Sequence, residues 1–284
     1  MRPLRTLSFL AICTLLATGC SAIGFAYNNA PAYVASELED AFDLDDTQSL
    51  ELDTRIQQFF SWHRQQELSR YQQVLDDAAL NAADGISAPE FLQFIDGLRL
   101  AFLRLLGQAI ISFGDMGLTL TPAQIDHYDR YYREISAEYY DYLEMSLQQR
   151  EIYREEQVIE RLEKWFGPFD ANQLQKIRPR LRQLPEFYEA WIRYREERQR
   201  ALVTALREAP TAGLSEQQLK TILLDPETDY ARAFEVERIA YWQVYAQMVE
   251  DISGGLSKAQ LKHAIDRLRK YSLAFEDLSN QDQS

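Results

Sequence analysis

The sequence predicts an all-α protein, a multi-helix bundle that is elongated, with one very long helix bridging two helical lobes. Three observations lead to this fold class. A helix-start signature recurs six times along the chain, no segment shows the period-two alternation of a half-buried strand, and Gly and Pro number only 11 and 9 among 284 residues. With 46% hydrophobic residues the chain can bury a core.

The N-terminal segment is typical of a bacterial secretion signal. Arg2 and Arg5 precede an apolar stretch at 7–16, which is shorter than the roughly 20 residues of a membrane-spanning helix. Ala17-Thr18-Gly19-Cys20 resembles a lipobox, whose cysteine becomes the lipid-bearing N-terminus. We therefore expect residues 1–19 to be a cleaved signal peptide and Cys20 to be lipidated. An ordinary signal-peptidase site with an unmodified cysteine is the alternative.

The predicted lipid sets the predicted location. Acyl chains contribute about 0.8 kcal/mol per buried methylene, so three of them hold a protein on a membrane without a spanning helix. Ser21, rather than Asp, follows the cysteine, which favours the outer membrane. We expect residues 20–30 to form a tether and the protein to face the periplasm.

The repeated signature is a capping box. An apolar residue precedes a Ser, Thr or Asp whose oxygen accepts a free N–H of the first turn, and a Gln or Glu three residues later bonds back to the cap N–H. The six copies are Leu44-Asp45-Asp46-Thr47-Gln48, Ile86-Ser87-Ala88-Pro89-Glu90, Leu120-Thr121-Pro122-Ala123-Gln124, Phe169-Asp170-Ala171-Asn172-Gln173, Leu214-Ser215-Glu216-Gln217-Gln218 and Leu256-Ser257-Lys258-Ala259-Gln260. Their uneven spacing favours successive long helices over a solenoid.

Helices fill the chain between these starts. The predicted spans are 31–42, 46–79, 88–113, 122–166, two within 171–207, 216–223, one from 225 to 254, and 257–277. Together they form a helical periplasmic domain at 31–284, with lobes at 31–145 and 146–284 as one possible division. The span 122–166 would be about 65 Å long, at roughly 1.5 Å per residue, and would join the lobes.

Two helices have distinctive surfaces. Residues 98–113 are apolar on nearly every face, which predicts a central helix surrounded by others. The span 122–166 is rich in tyrosine, a residue that is frequent both in cores and in protein interfaces. Both locations remain open for its tyrosines at 128, 131, 132, 139, 140, 142 and 153.

One cluster of polar residues faces the predicted core. On a helical wheel His63 and Glu67 lie one turn apart within an apolar stripe, beside Arg70 and next to Trp62. Inward polar groups must be paired, so the two could bind each other, a partner arginine or a metal. We interpret the cluster first as a structural polar knot and second as the edge of a ligand pocket.

Composition and motifs exclude several classes of function. Thirty Lys+Arg against 44 Asp+Glu, a net charge of −14, excludes a nucleic-acid binder with a basic surface. Two cysteines are too few for a disulfide scaffold or a cysteine zinc site. No phosphate-binding loop, dinucleotide fingerprint, nucleophile elbow or zinc-protease motif is present. We therefore expect no enzyme activity, catalytic residue, metal or cofactor.

Several short motifs together resemble a known family. They are the lipobox, Ala26-Tyr27-Asn28-Asn29, Leu44-Asp45 with Gln48, and Trp62-His63-Arg64 with Glu67-Leu68 and Tyr71. The set is similar to a family of uncharacterised envelope lipoproteins of Gram-negative bacteria, known as a domain of unknown function. That resemblance implies a helical body on a lipid anchor and no activity. The box at 120–124 is also similar to the L-T-x-x-Q motif of small periplasmic stress chaperones.

Two functions follow from these expectations. The first is a membrane-tethered, non-enzymatic helical binding, scaffold or chaperone-like protein with a periplasmic protein partner. The second is a carrier of a small or lipidic ligand in a helical cavity near His63, which requires a concave apolar site of several hundred Å³. The shape of the helical body distinguishes them.

The lipid anchor gives the first testable prediction. Replacing Cys20 by alanine should abolish labelling by a fatty-acid probe and release the protein from the membrane fraction, because the sole acceptor thiol of the mature chain is lost. A Cys20→Ala protein that still carries the label would exclude lipidation at this position.

Overall fold

The computed structural model describes residues 19–224 and 228–281, with side chains from residue 22 onward. The predicted signal peptide up to residue 18 and the side chain of Cys20 lie outside the described residues. The described part is all-α, as predicted, without a β-strand. Its helices are α1 Gly19–Phe42, α2 Asp46–Gln66, α3 Leu68–Asn81, α4 Ala88–Phe113, a 3₁₀ segment Gly114–Leu118, α5 Pro122–Glu144, α6 Leu147–Phe166, α7 Ala171–Leu181, α8 Tyr188–Ala212, α9 Glu216–Leu223, α10 Asp229–Ser253 and α11 Lys258–Asn280.

The predicted helix starts lie where the capping boxes place them. Five boxes are complete, with both the cap and the return hydrogen bond, and begin α2, α4, α5, α7 and α11. In the sixth, Ser215 accepts from the Gln218 N–H at the start of α9. These starts confirm that local side-chain chemistry divides the chain into its helices.

The prediction of one continuous helix over 122–166 is wrong. The segment is divided into α5 and α6 because Met145 is extended and Ser146 begins a further capping box with Gln149. This seventh box has the same pattern as the other six, an apolar residue, Ser and then Gln three residues later. No helix of 65 Å is therefore present in this segment.

The first two predicted helices also differ in detail. Residues 20–30, expected to be a tether, belong to α1, which runs through Pro31. Ile23 is buried against α3 and α11, so packing holds this first part of α1 as helix. The predicted helix 46–79 is present but bends at Glu67, where the hydrogen bond from the Glu67 N–H to the His63 carbonyl continues the helical pattern.

Helix α4 is not the central core helix that its composition predicts. Only Ala101 and Ile110 are buried within it. Leu98, Leu100 and Phe102 are 44%, 53% and 57% exposed. The physical reason is that α4 has neighbours on only part of its surface, so its remaining apolar side chains face solvent or an internal space.

Packing between the two halves of the chain holds the bundle together. Helix α11 lies along α3 in the most extensive helix contact, α10 lies against α4, and α8 lies against α5. Helix α1 covers α2, α5 and α11. The largest core cluster lies in the second half, and smaller clusters lie between the halves and in the first half.

Two helix starts in each half are joined by their glutamines. The Gln124 amide donates to Gln48 Oε1 at 2.6 Å and to the Asp43 carbonyl at 2.9 Å, and the Gln48 amide donates to the Thr119 carbonyl at 3.0 Å. We call this arrangement the glutamine clasp of α2 and α5. Each glutamine also accepts from the backbone N–H of its own cap, Asp45 or Thr121, so one side chain supports two helix starts.

A second clasp joins α7 and α11 in the same way. The Gln173 amide donates to Gln260 Oε1 at 2.8 Å and to the Gly255 carbonyl at 3.0 Å. The Gln260 amide donates to the Pro168 carbonyl at 2.9 Å. Four of the predicted capping boxes therefore do more than cap, because they fix the position of one helix start against another.

The clasp predicts a stability difference between two similar substitutions. Gln124→Ala should lower the free energy of unfolding by roughly 2–3 kcal/mol, because it leaves buried partners of the clasp without hydrogen bonds. Gln149→Ala removes only the return bond of an exposed box and should cost about 0.5–1 kcal/mol. Urea unfolding followed by circular dichroism measures both, and equal losses would contradict a role of Gln124 beyond capping.

Candidate functional site

An apolar cavity lies between the first half of the bundle and helices α8 and α9. Its volume is about 510 Å³, and its walls come from α1, α2, α4, the 3₁₀ segment, α8 and α9. Side chains along the wall of α2 include Leu52, Ile56 and Phe60, and α4 contributes Leu105 and Ala109. This volume lies within the roughly 300–1,000 Å³ of small-molecule sites in proteins.

The cavity wall carries almost no polar group. Among the described residues that line it, only His63 and Thr119 have polar hydrogen-bonding side chains, and no lining residue is acidic, lysine or arginine. A charged ligand group would lose its hydration there without gaining a partner. The cavity therefore suits a neutral, apolar group.

The inner face of α4 extends beyond this cavity. Phe102 lines the cavity and is 57% exposed, so this part of the wall is open to solvent. Leu98, one turn earlier on α4, lines a second and smaller apolar cavity of about 240 Å³ beside Trp165 and Trp242. The two cavities share α4 as a wall, which gives the apolar surface an elongated form.

His63 lies at one end of the larger cavity, between two tyrosines from neighbouring helices. Its Nδ1 is 2.8 Å from the Tyr27 hydroxyl on α1, and its Nε2 is 3.2 Å from the Tyr71 hydroxyl on α3. A neutral imidazole donates from one nitrogen and accepts at the other, so it can satisfy both hydroxyls at once. The three side chains hold α1, α2 and α3 together at the cavity's end.

Burial keeps this imidazole neutral. Desolvation lowers the pKa of His63 from 6.5 to about 4, and the nearby Glu67 carboxylate opposes that shift only in part. Burial likewise raises the pKa of the Tyr71 hydroxyl to about 12. At neutral pH the polar end of the cavity is therefore uncharged.

Glu67 binds arginines rather than His63. Its side chain is fully buried, with Arg104 Nη2 at 2.9 Å from Oε2 and Arg70 Nη1 at 2.5 Å from Oε1. Arg104 Nε also lies 3.0 Å from Oε2. Two nitrogens of this α4 arginine therefore bind Glu67 at the bend between α2 and α3. A buried carboxylate that lacks such partners would cost several kcal/mol.

The structure brings the predicted polar knot together in part. Glu67 forms an ion pair with Arg70, which is the arginine partner that was one of the three expected pairings. His63 bonds to tyrosines instead of Glu67. Trp62 packs by its ring against Phe59 and edge-on against His63. The residues that carry the family resemblance also meet here, since Tyr27 contacts His63 and Asn28 accepts from Arg64 at 2.9 Å.

Sequence reasoning missed two members of this site. Arg104 contacts both carboxylate oxygens of Glu67, and its charge within the apolar run 98–113 was the available signal. Tyr27 comes from a segment that was expected to be a tether, so its role depends on α1 starting earlier than predicted.

The predicted tyrosine surface is mostly occupied within the protein. Tyr128 stacks on Phe42 and donates to Gln199, and Tyr142 donates to Glu186 at 2.8 Å. Tyr139 packs edge-on against Trp191. These tyrosines join α5 to α1 and α8, whereas Tyr140 and Tyr153 are 40% and 45% exposed.

Neither a metal-binding cluster nor a membrane-spanning helix is found among the described residues. In the described ranges, no group of three or more His, Cys, Asp or Glu is placed to hold a metal ion. His127 bonds to the Asp40 carbonyl at 3.0 Å, and His263 lines a separate cleft. None of the described helices is both long and apolar enough to cross a bilayer.

Comparison with known proteins identifies one relationship. The model of a family of unknown function (DUF6279) matches residues 40–235, which is more than half of the chain. The match includes α2 to α9 and most residues of the cavity wall. No curated protein and no solved structure matches the chain.

The neutral state of His63 predicts a pH-dependent stability. Its folded pKa of about 4 lies below the ordinary 6.5, so the unfolded chain binds the extra proton first and the contribution is lost as pH falls below 6.5. Between pH 7 and 5 the wild type should lose about 2 kcal/mol through this residue. His63→Gln should lack that loss, and parallel pH dependences of thermal unfolding would contradict a buried neutral imidazole.

Proposed function

We propose that the chain, which belongs to the DUF6279 family of unknown function, is a lipid-anchored envelope protein that carries a small apolar or lipidic ligand. The observation that carries this proposal is the apolar cavity of about 510 Å³ beside His63. The function is binding without chemistry, so it needs no cofactor or catalytic residue. Cys20 is the proposed lipid attachment site and the outer membrane, facing the periplasm, the proposed location.

An acyl chain is the ligand group that best fits the wall. The lining presents methyl, methylene and aromatic groups, and each ligand methylene moved there from water contributes about 0.8 kcal/mol. Its uncharged walls offer nothing to a carboxylate or phosphate, so a polar head group would remain at the open side near Phe102. This arrangement favours an amphiphile with its chain inside and its head in solvent.

A protein partner is the second candidate. Leu100 and Ile111, both 53% exposed, lie on the side of α4 away from the cavity wall, three turns apart. Apolar residues on one exposed helix face are typical of surfaces that bind another helix or a chaperone client. This observation supports the scaffold or chaperone-like function and does not need the cavity.

Photocrosslinking in intact cells tests the carrier function. Cells that produce the full-length protein are given a fatty acid bearing a diazirine and an alkyne, then irradiated, and the modified peptides are identified by mass spectrometry. We expect irradiation-dependent adducts on the part of α4 that includes Leu105 and Ala109, and on α2 near Ile56. Label attached to Cys20 forms without irradiation, so it is separated from ligand in the cavity.

Two internal comparisons make this experiment decisive. Leu273 on α11 is 53% exposed outside the cavity and reports non-specific labelling. Adducts on α11 as strong as those on α4, or none on α4, would contradict a lipid-binding cavity. Crosslinked protein partners on α4 in place of lipid would favour the scaffold function.

A further inference from the structure

We infer that the chain consists of two tandem copies of one helical unit, and that the cavity lies mainly within the first copy, with α8 and α9 of the second contributing to its wall. In the second copy Tyr241 and Tyr245 occupy the positions that Leu105 and Ala109 hold in the first. The smaller side chains of Leu105 and Ala109 leave the cavity of the first copy open and determine which ligand fits. The ligand itself rests on the proposed function, whereas the relation between the two copies does not.

The capping boxes recur in the same order in both halves. In the first unit, boxes begin α2, α4 and α5, and in the second unit they begin α7, α9 and α11. Helix α1 precedes the first set, and α6, which has a capping box of its own at Ser146, precedes the second. The units meet at Met145–Ser146, between α5 and α6.

Local sequence agrees at corresponding boxes. The third box of the first unit reads Leu120-Thr121-Pro122-Ala123-Gln124-Ile125-Asp126-His127, and that of the second reads Leu256-Ser257-Lys258-Ala259-Gln260-Leu261-Lys262-His263. The leucine, alanine, glutamine and histidine are identical, and the cap and the aliphatic residue are conservative changes. A capping box alone requires neither the alanine nor the histidine.

Backbone geometry agrees at the second box. Gly85 and Gly213 each lie two residues before the cap serine, Ser87 or Ser215, and have φ values of 126° and 78°. This region of φ favours glycine, so both turns need the same residue at the same place. The match is in conformation as well as in sequence.

The two glutamine clasps are built in the same way. In both, each glutamine bonds to the other and donates to the carbonyl two residues before the other's cap. Those carbonyls belong to Asp43 and Thr119 in the first unit and to Pro168 and Gly255 in the second. Capping does not require helix starts to pair, so shared pairing indicates a shared unit.

Helix packing between the halves follows a twofold pattern. Helix α3 of the first unit lies on α11 of the second, and the corresponding α8 of the second lies on α5 of the first. Helix α4 takes the place of α9 and α10 together, because the second and third boxes lie 34 residues apart in the first unit and 42 in the second, and α4 packs against α10. Two like units related by an approximate twofold axis produce this exchange of contacts.

Corresponding positions along α2 and α7 have corresponding places in the interior. Leu52 and Ile177 each lie seven residues after the cap, and Ile56 and Leu181 each lie eleven after it. Leu52 and Ile56 line the cavity. Ile177 and Leu181 belong to the large core cluster.

The difference between the interiors lies on α4 and α10. Leu105 and Tyr241 each lie sixteen residues before the cap of the third box, and Ala109 and Tyr245 each lie twelve before it. Tyr241 and Tyr245 are 8% and 5% exposed and stand in the core cluster beside Phe187 and Phe91. At the same positions the first unit has Leu105 and the methyl group of Ala109, which line the cavity of about 510 Å³. Tyr245 lines the smaller cavity of about 240 Å³, and Tyr241 lines a separate, more polar cleft.

Exchange of one residue between units tests this inference. Ala109→Tyr should fill the cavity and lower fatty-acid crosslinking on α2 at least about tenfold, the change that about 1.4 kcal/mol of lost binding produces. Its midpoint of thermal unfolding should remain close to that of the wild type. Ala101→Tyr is the matched control, because Ala101 is buried on the same helix outside the cavity wall, and we expect it to lower the midpoint strongly.

The reverse exchange tests the second unit. Tyr245→Ala should lower the melting temperature and create fatty-acid crosslinks on α7 or α10 that the wild type lacks. If the diazirine fatty acid labels no cavity in the wild type, the proposed function fails. The relation between the two copies is then tested by the thermal unfolding midpoints alone. Ala109→Tyr should melt near the wild type, and Ala101→Tyr should melt well below it.

Two results would overturn the inference. One is an Ala109→Tyr protein as destabilised as Ala101→Tyr, since position 109 would then lack the space that its counterpart fills. The other is an Ala109→Tyr protein that is stable and still labelled on α2 at the wild-type level.

Discussion

Helix starts that satisfy each other are the constraint on which this bundle depends. Every helix begins with N–H groups that have no partner within the helix. In this protein a glutamine accepts from the N–H of its own cap residue. Its amide also donates to the opposite glutamine and to a carbonyl in the opposite turn. Since Gln48 and Gln124 are each 7% exposed, the register of α2 against α5 is set by hydrogen bonds that water cannot easily replace. The remaining helices pack around two such fixed corners.

Fixed corners explain why a space persists in one half. Protein interiors are ordinarily close-packed, and helices approach until their side chains fill the gap. Here the α2–α5 clasp and the ion pair of Arg104 with Glu67 fix α2 against its neighbours, and small side chains such as Ala109 line the cavity between α2 and α4. In the second half the positions counted back from the third box carry Tyr241 and Tyr245, which belong to the largest core cluster. The charged groups lie at the bend between α2 and α3, and the polar side chains among the described residues of the cavity wall are those of the neutral His63 and Thr119.

Local chemistry made the helix starts predictable from sequence, and tertiary packing limited the rest. Asp45, Ser87 and Thr121 each belong to a five-residue capping-box motif, so the starts of their helices can be predicted from local sequence alone. Ser146 begins a capping box of the same kind, but the sequence on both sides of it strongly favours helix, so the pattern predicts one continuous helix there. Periodicity predicted an inward Glu67, yet its partner Arg104 lies on another helix and depends on the angle between α2 and α4. The apolar run of α4 indicated burial, but a cavity wall and a core helix have the same composition.

We propose that the space between α2 and α4 holds an acyl chain. The most direct measurement is a crystal structure of the protein with a fatty acid brominated along its chain, located by anomalous scattering of bromine. We expect bromine peaks inside the cavity, between Ile56 and Ala109, with the carboxylate toward Phe102. Bromine confined to the outer surface, with the cavity collapsed or filled by ordered water, would contradict it.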